Sequence, residues 1–127
     1  MARSDSPCRV RSMTEPERAW IGAMVDAEGW VGADWGNVRA GRSIYPKLRL
    51  AVGNTDLEII SALLRATGVG RVCMLRKQKE THKQMWYWQV RTNRDVQLLG
   101  VQCYHYSQKL RGVVSPYDGA MQLRGSL

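Results

Sequence analysis

The chain has 127 residues, 44% of them hydrophobic, enough for one compact domain with its own core and too few for two domains of ordinary size. Lysine and arginine total 19 against 11 aspartates and glutamates, a formal charge of +8 that favours a polyanionic partner through Coulomb attraction and counterion release. No apolar run approaches the roughly 20 residues a membrane span needs, and Cys8, Cys73 and Cys103 are odd in number, widely spaced and without a CxxC pair, so neither a membrane partner, a disulfide framework nor a zinc knuckle is indicated.

Residues 1–13, MARSDSPCRVRSM, are basic, lack the apolar core of a secretory signal, and read as a flexible arm. A reducing compartment is expected: cytoplasmic and nucleoid-associated, or an organellar matrix, with no secretion. Thr14-Glu15-Pro16-Glu17 announces the first helix, because the Thr hydroxyl can cap the third amide, Glu17 can answer it, and Pro16 suits the first turn. That helix should run to about Asp26. A short strand follows from Gly29 to Trp35, then a Gly/Arg/Ser-rich connection, then a strand from Tyr45 to Val52. There Lys47, Arg49 and Ala51 alternate with Leu48, Leu50 and Val52, the period of a strand with a basic wet face and a buried face.

Thr55-Asp56-Leu57-Glu58 repeats the capping pattern and opens a helix carrying Leu57, Ile60, Leu63 and Leu64, closed by Gly68 in a left-handed cap. Arg71–Lys77 and Met85–Arg91 read as strands joined by a polar loop that holds His82, and Thr92 to Asp95 opens a third helix with His105 near its end. Trp86 and Trp88 are expected as core beneath that helix. The two histidines are too far apart in sequence to suggest a metal pair. From Gly112 onward no period is visible, which suggests a loosely packed tail over 112–127. The predicted fold class is α+β: a four-stranded antiparallel sheet, order αββαββα, with helices on one face and the other face free to bind.

The segment Ile21-Gly22-Ala23-Met24-Val25-Asp26-Ala27-Glu28-Gly29 is unusual for a helix end, with small residues in mid-helix and two acids before a glycine. Gly22, Ala23 and Ala27 permit close approach of another backbone. Glu28 would be delivered to the sheet edge, where a carboxylate can hold a hard divalent cation. Asp26 sits where the helix dipole disfavours negative charge, so a compensating partner is expected.

This stretch resembles the motif of the LAGLIDADG homing endonucleases, and Asn54-Thr55-Asp56, Thr67-Gly68-Val69-Gly70 and the aromatic last strand follow in the family's order, so the likeness covers Thr14 to Lys109. It implies a saddle-shaped sheet and a domain over 14–111. A single motif implies a homodimer, with Ile21, Gly22, Ala23, Val25 and Asp26 at the subunit interface and a pseudo-palindromic double-stranded DNA target. The implied activity is metal-dependent phosphodiester hydrolysis, with Mg²⁺ as the ion and Mn²⁺ or Ca²⁺ as substitutes in binding. No small-molecule substrate is implied.

Glu28 is the implied metal ligand, assisted by the carbonyl of Ala27. Asn54 matches a polar position that orients water, and equally suits a turn residue beside Thr55. The family's basic residue near the scissile phosphate falls at Gln108, with Lys109 one step away. Either Lys109 serves, or that cation is lost. DNA contacts are expected from Lys47 and Arg49, then Arg71, Lys77, Gln89 and Arg91, with Arg39 and Arg42 tracking phosphates or flanking bases. The rival readings are a noncatalytic DNA binder or intron RNA maturase of the same fold, and a small basic RNA-associated structural protein with an accidental motif.

Overall fold

The computed structural model describes residues 9–34, 47–77 and 79–114. In chain order these form α1 (Glu15–Glu28), β1 (Gly29–Asp34), β2 (Lys47–Asn54), α2 (Leu57–Thr67), β3 (Arg71–Leu75), β4 (Met85–Val90) and α3 (Asn93–Gln102). This is the predicted order, and residues 108–114 add a further helix, α4.

The capping signals explain where the helices begin. At α1, Glu17 N donates to Thr14 Oγ1 (3.3 Å) and Thr14 N donates to Glu17 Oε1 (2.9 Å), closing the capping box. At α2 the cap is Asp56, one residue later than the sequence suggested: its carboxylate accepts from Glu58 N at 2.9 Å. Thr55 is displaced from that role because Asn54 Oδ1 already accepts from Asp56 N at 2.8 Å, tightening the turn between β2 and α2. Gly68 ends α2 at φ 76°, the left-handed cap that its lack of a Cβ permits.

All strand pairs are antiparallel, in the order β1-β2-β4-β3. In β2 the alternation holds: Leu48, Leu50 and Val52 are fully buried, while Lys47 is exposed and Arg49 and Ala51 are partly so. Each of the buried three contributes about 1.5–3 kcal/mol of burial. They meet Ile21 and Val25 of α1, Ile60 and Leu63 of α2, and Val96 and Leu99 of α3 in one core. Among the described residues the helices thus cover one sheet face and leave the other open.

Trp88 is core, as expected, but under a different helix. β4 lies chiefly beneath α2 while α3 packs on β2, and the Trp88 indole N–H donates to Val69 O at 2.9 Å in the turn after α2. The β1-β2-β4-β3 order brings α2 back over β4.

The expected flexible arm is corrected in its second half. Val10 and Met13 are buried in the core. Arg11 N donates to Thr67 O, and its guanidinium donates to Arg65 O and Ala66 O, satisfying carbonyls at the end of α2 where a cation is favoured by the dipole. Gln102 clamps the same segment from α3 through Met13 N and Arg11 O. Residues 1–8 lie outside the described residues. Of the expected tail over 112–127, residues 112–114 lie in α4, where Val113 is buried, and 115–127 lie outside the described residues.

Between α3 and α4 the chain crosses α1 at Gly22. A Cβ there would come within 2.6 Å of the Tyr106 carbonyl oxygen and 2.7 Å of its Cβ, and the Tyr106 hydroxyl donates to Glu15 on the same helix at 2.7 Å. Gly22→Val is therefore expected to destabilise the folded chain by about 1–3 kcal/mol or more through overpacking against backbone, measured by chemical denaturation.

Candidate catalytic centre and nucleic-acid interface

The end of α1 runs directly into β1, and that junction carries the acid. Gly29 makes the change of direction possible because a Cβ would lie 2.7 Å from Val25 O. Glu28, the last helical residue, is exposed, and its Oε1 accepts from Asn54 Nδ2 at 2.8 Å. Asn54 takes the turn role and also touches Glu28. Its oxygen holds the turn at Asp56, which fixes the amide plane, and its nitrogen then holds Glu28.

Lys109 reaches the same junction: its Nζ donates to Gly29 O at 2.8 Å, on the residue that follows Glu28. Gln108, where the resemblance places the basic residue, instead contributes its backbone N–H to Asp26 at 2.9 Å. The ammonium beside the motif is therefore that of Lys109.

Asp26 explains how Lys109 is placed. Its carboxylate accepts from Ser107 Oγ (2.7 Å), Gln108 N (2.9 Å) and Lys109 N (3.1 Å), so the acid at the end of α1 caps the start of α4. Ser107 Oγ in turn accepts from Leu110 N at 3.0 Å. The compensating partner expected for Asp26 is thus a second helix start. Burial pushes the Asp26 pKa up, but the Ser107 hydroxyl, the two amides and the Lys109 charge outweigh it and hold it below the usual aspartate value.

Because folding lowers this pKa, the stabilisation is present in full above the unfolded aspartate range and is lost as pH falls through the lower folded value. Thermal unfolding followed between about pH 2 and 7 should show this acid-sensitive component, and Asp26→Asn should remove it and lower the melting temperature at neutral pH.

The residues assigned to the subunit interface separate into two groups. Ile21, Gly22 and Val25 are buried within their own chain, and the partly exposed Asp26 is engaged by α4. In this register the Gly22 side of α1 receives the Tyr106 turn and the sheet. Ala23 and Ala27 are exposed, together with Trp20 at 36%, and with partly exposed Met24 they form a stripe at helical spacing along the outer side of α1. Sequence reasoning missed Trp20, although the 20, 23, 24, 27 spacing carried the signal.

On the open sheet face the register sets out cross-strand rows. Trp30, Ala51, Gln89 and Arg71 share one row, with Gly32 and Arg49 in the next. Arg71 and Arg91 are exposed and, with Arg9 and Gln89, line a cavity of about 370 Å³ at the sheet corner. Lys77 is displaced from the expected strand, because β3 stops at Leu75; it borders a separate hollow with Arg76, His82 and Lys83 in the β3–β4 connection. Arg39 and Arg42 lie outside the described residues.

A scan against protein-family models finds no match, and a comparison with curated proteins finds none. Solved structures similar to this chain include LAGLIDADG homing endonucleases. I-CvuI, in complex with its target in the presence of 2 mM Ca, aligns with 77% of this chain and 60% of that one, at a TM-score of 0.58 and 21% identity. The archaeal intron-encoded I-Vdi141I complexed with DNA aligns over 87% and 70%, at 0.55 and 15%. The LAGLIDADG meganuclease I-CpaMI bound to uncleaved DNA aligns over 78% and 34%, at 0.54 and 16%. A further I-CvuI complex was obtained in 2 mM Mg with its DNA not cleaved. This chain spans about 60% of the length of the I-CvuI chains it matches.

Proposed function

We propose that this chain is one subunit of a homodimeric, site-specific endonuclease that hydrolyses phosphodiester bonds in a long pseudo-palindromic DNA duplex with Mg²⁺. The observation that carries this reading is the junction of α1 and β1, where an exposed Glu28 carboxylate is oriented by Asn54 and the Lys109 ammonium sits on the next carbonyl.

The donors fit a hard ion. Among the described residues there is no group of three or more His, Cys, Asp and Glu side chains, so one chain offers the Glu28 carboxylate and the helix-end carbonyl of Ala27, both oxygen. That small set suits an ion that takes one or two carboxylates and completes its shell with water and phosphate oxygens. Bound there, the ion would supply Lewis acidity toward the phosphate and the attacking water. The chain's own residues do the rest. Asn54 holds Glu28 in one rotamer, Lys109 offsets charge that develops on the phosphate, and Lys47, Arg49, Arg71 and Gln89 on the open face hold the duplex.

The Trp20, Ala23 and Ala27 stripe is the surface we assign to the second copy, in place of the buried residues named by the motif. Two-fold packing there would set two Glu28 carboxylates about one axis and demand a target with matching symmetry.

The test is cleavage of a random-sequence duplex library in Mg²⁺. Wild-type protein should select and cut a symmetric site, Lys109→Met should slow cutting by about 10²-fold, and Gln108→Ala should change it by less than about threefold. Selection without cutting would favour the noncatalytic binder instead.

A further inference from the structure

Trp30 stands out on the open sheet face. It is 57% exposed, and its row mates are Ala51, Gln89 and Arg71. A Cβ added at Gly32 would lie 2.6 Å from the indole Cζ2 and 2.7 Å from Cη2, so the ring lies along β1 over Gly32. Two small positions, Gly32 along the strand and Ala51 across it, leave room for the plate to rest against the sheet and turn its other face outward.

Its place in the chain narrows its use. Trp30 is the second residue after Glu28, and at the rise of a strand it sits roughly 7 Å further along β1. Whatever Glu28 meets, Trp30 meets the neighbouring part of it. Resting on the endonuclease reading above, we infer that Trp30 is a specificity-determining residue: its indole packs against the base pairs beside the scissile phosphates and selects them by apolar contact and ease of unstacking.

An apolar plate cannot match a donor and acceptor pattern as Gln89 or Arg71 can. It favours steps that open at low cost, and pyrimidine–purine steps are the most deformable in DNA. In a dimer with its axis near Glu28 the two indoles would flank the centre of the site. The basic residues further along the sheet then read the outer positions, so one face divides into a shape-reading centre and a hydrogen-bonding periphery.

The experiment selects binding sites from a random-sequence duplex library in Ca²⁺ with wild type, Trp30→Ser, Trp30→Phe and Gly32→Ala, the last of which displaces the ring without removing it. Wild type should prefer central pyrimidine–purine steps by roughly tenfold. Trp30→Ser and Gly32→Ala should reduce this to about twofold while outer preferences and melting temperature hold, and Trp30→Phe should keep most of it. Equal central preference in Trp30→Ser and wild type, both selecting a common site, would overturn the role of Trp30 and leave the endonuclease reading intact. No selection by wild type would overturn that reading, and this inference with it.

Discussion

Glu28→Gln is expected to lower Mg²⁺-dependent strand cleavage by about three orders of magnitude or more, because the proposed function makes this carboxylate the charged ligand of the metal ion at the α1–β1 junction. Glutamine keeps the length of the side chain, and its carbonyl can still accept from Asn54 Nδ2, which now bonds Glu28 at 2.8 Å. The fold should therefore be unaffected. Duplex affinity without divalent ion should change by less than about threefold, since the proposed function rests it on cations of the open face, Lys47 and Arg49 among them. Single-turnover cleavage beside a filter-binding titration checks both halves. Equal loss of binding and cutting would mean that Glu28 supports the fold or the DNA interface and not the chemistry.

The second large effect is expected at Ala23. It is exposed on the outer side of α1 between Trp20 and Ala27, so an arginine there meets only water in the isolated chain and should change its stability by within about 0.5 kcal/mol. Across a close helix pairing the same arginine would bury a bulky charge against its own symmetry copy. Ala23→Arg should sediment as a folded monomer, lose cleavage, and bind its duplex about 10²-fold or more weakly, because the two half-sites are no longer held together. Gly22→Val, one residue away, should behave differently and loosen the chain itself, because Gly22 faces Tyr106. The contrast between neighbours separates the inner side of the motif helix from the outer side.

Much of this architecture was legible in the residues. Period-two alternation in β2 and the capping patterns at Thr14 and Gly68 gave elements in the order the structure has. What escaped was set by partners distant in sequence. A helix carrying small residues on two sides does not reveal which side its own chain will take; here the Tyr106 turn takes Gly22 and leaves Ala23 outside. The Asp26 carboxylate needed a partner on dipole grounds, yet that the partner would be the start of α4 depends on a contact across more than 80 residues. That same contact sets which of Gln108 and Lys109 reaches the α1–β1 junction. Once Asp26 fixes the first turn of α4, it is the Lys109 side chain that reaches Gly29 O. The N-terminal segment read as a flexible arm because Val10 and Met13 show no period of their own, and they are buried against the rest of the core.

The proposed function requires Glu28 to hold a metal ion against DNA. The most direct measurement is an anomalous-scattering map from crystals of the chain with its selected duplex and Mn²⁺. A manganese peak should lie about 2.0–2.2 Å from a Glu28 carboxylate oxygen and in contact with a phosphate oxygen of the duplex. Manganese bound elsewhere, with Glu28 remote from every phosphate, would contradict it.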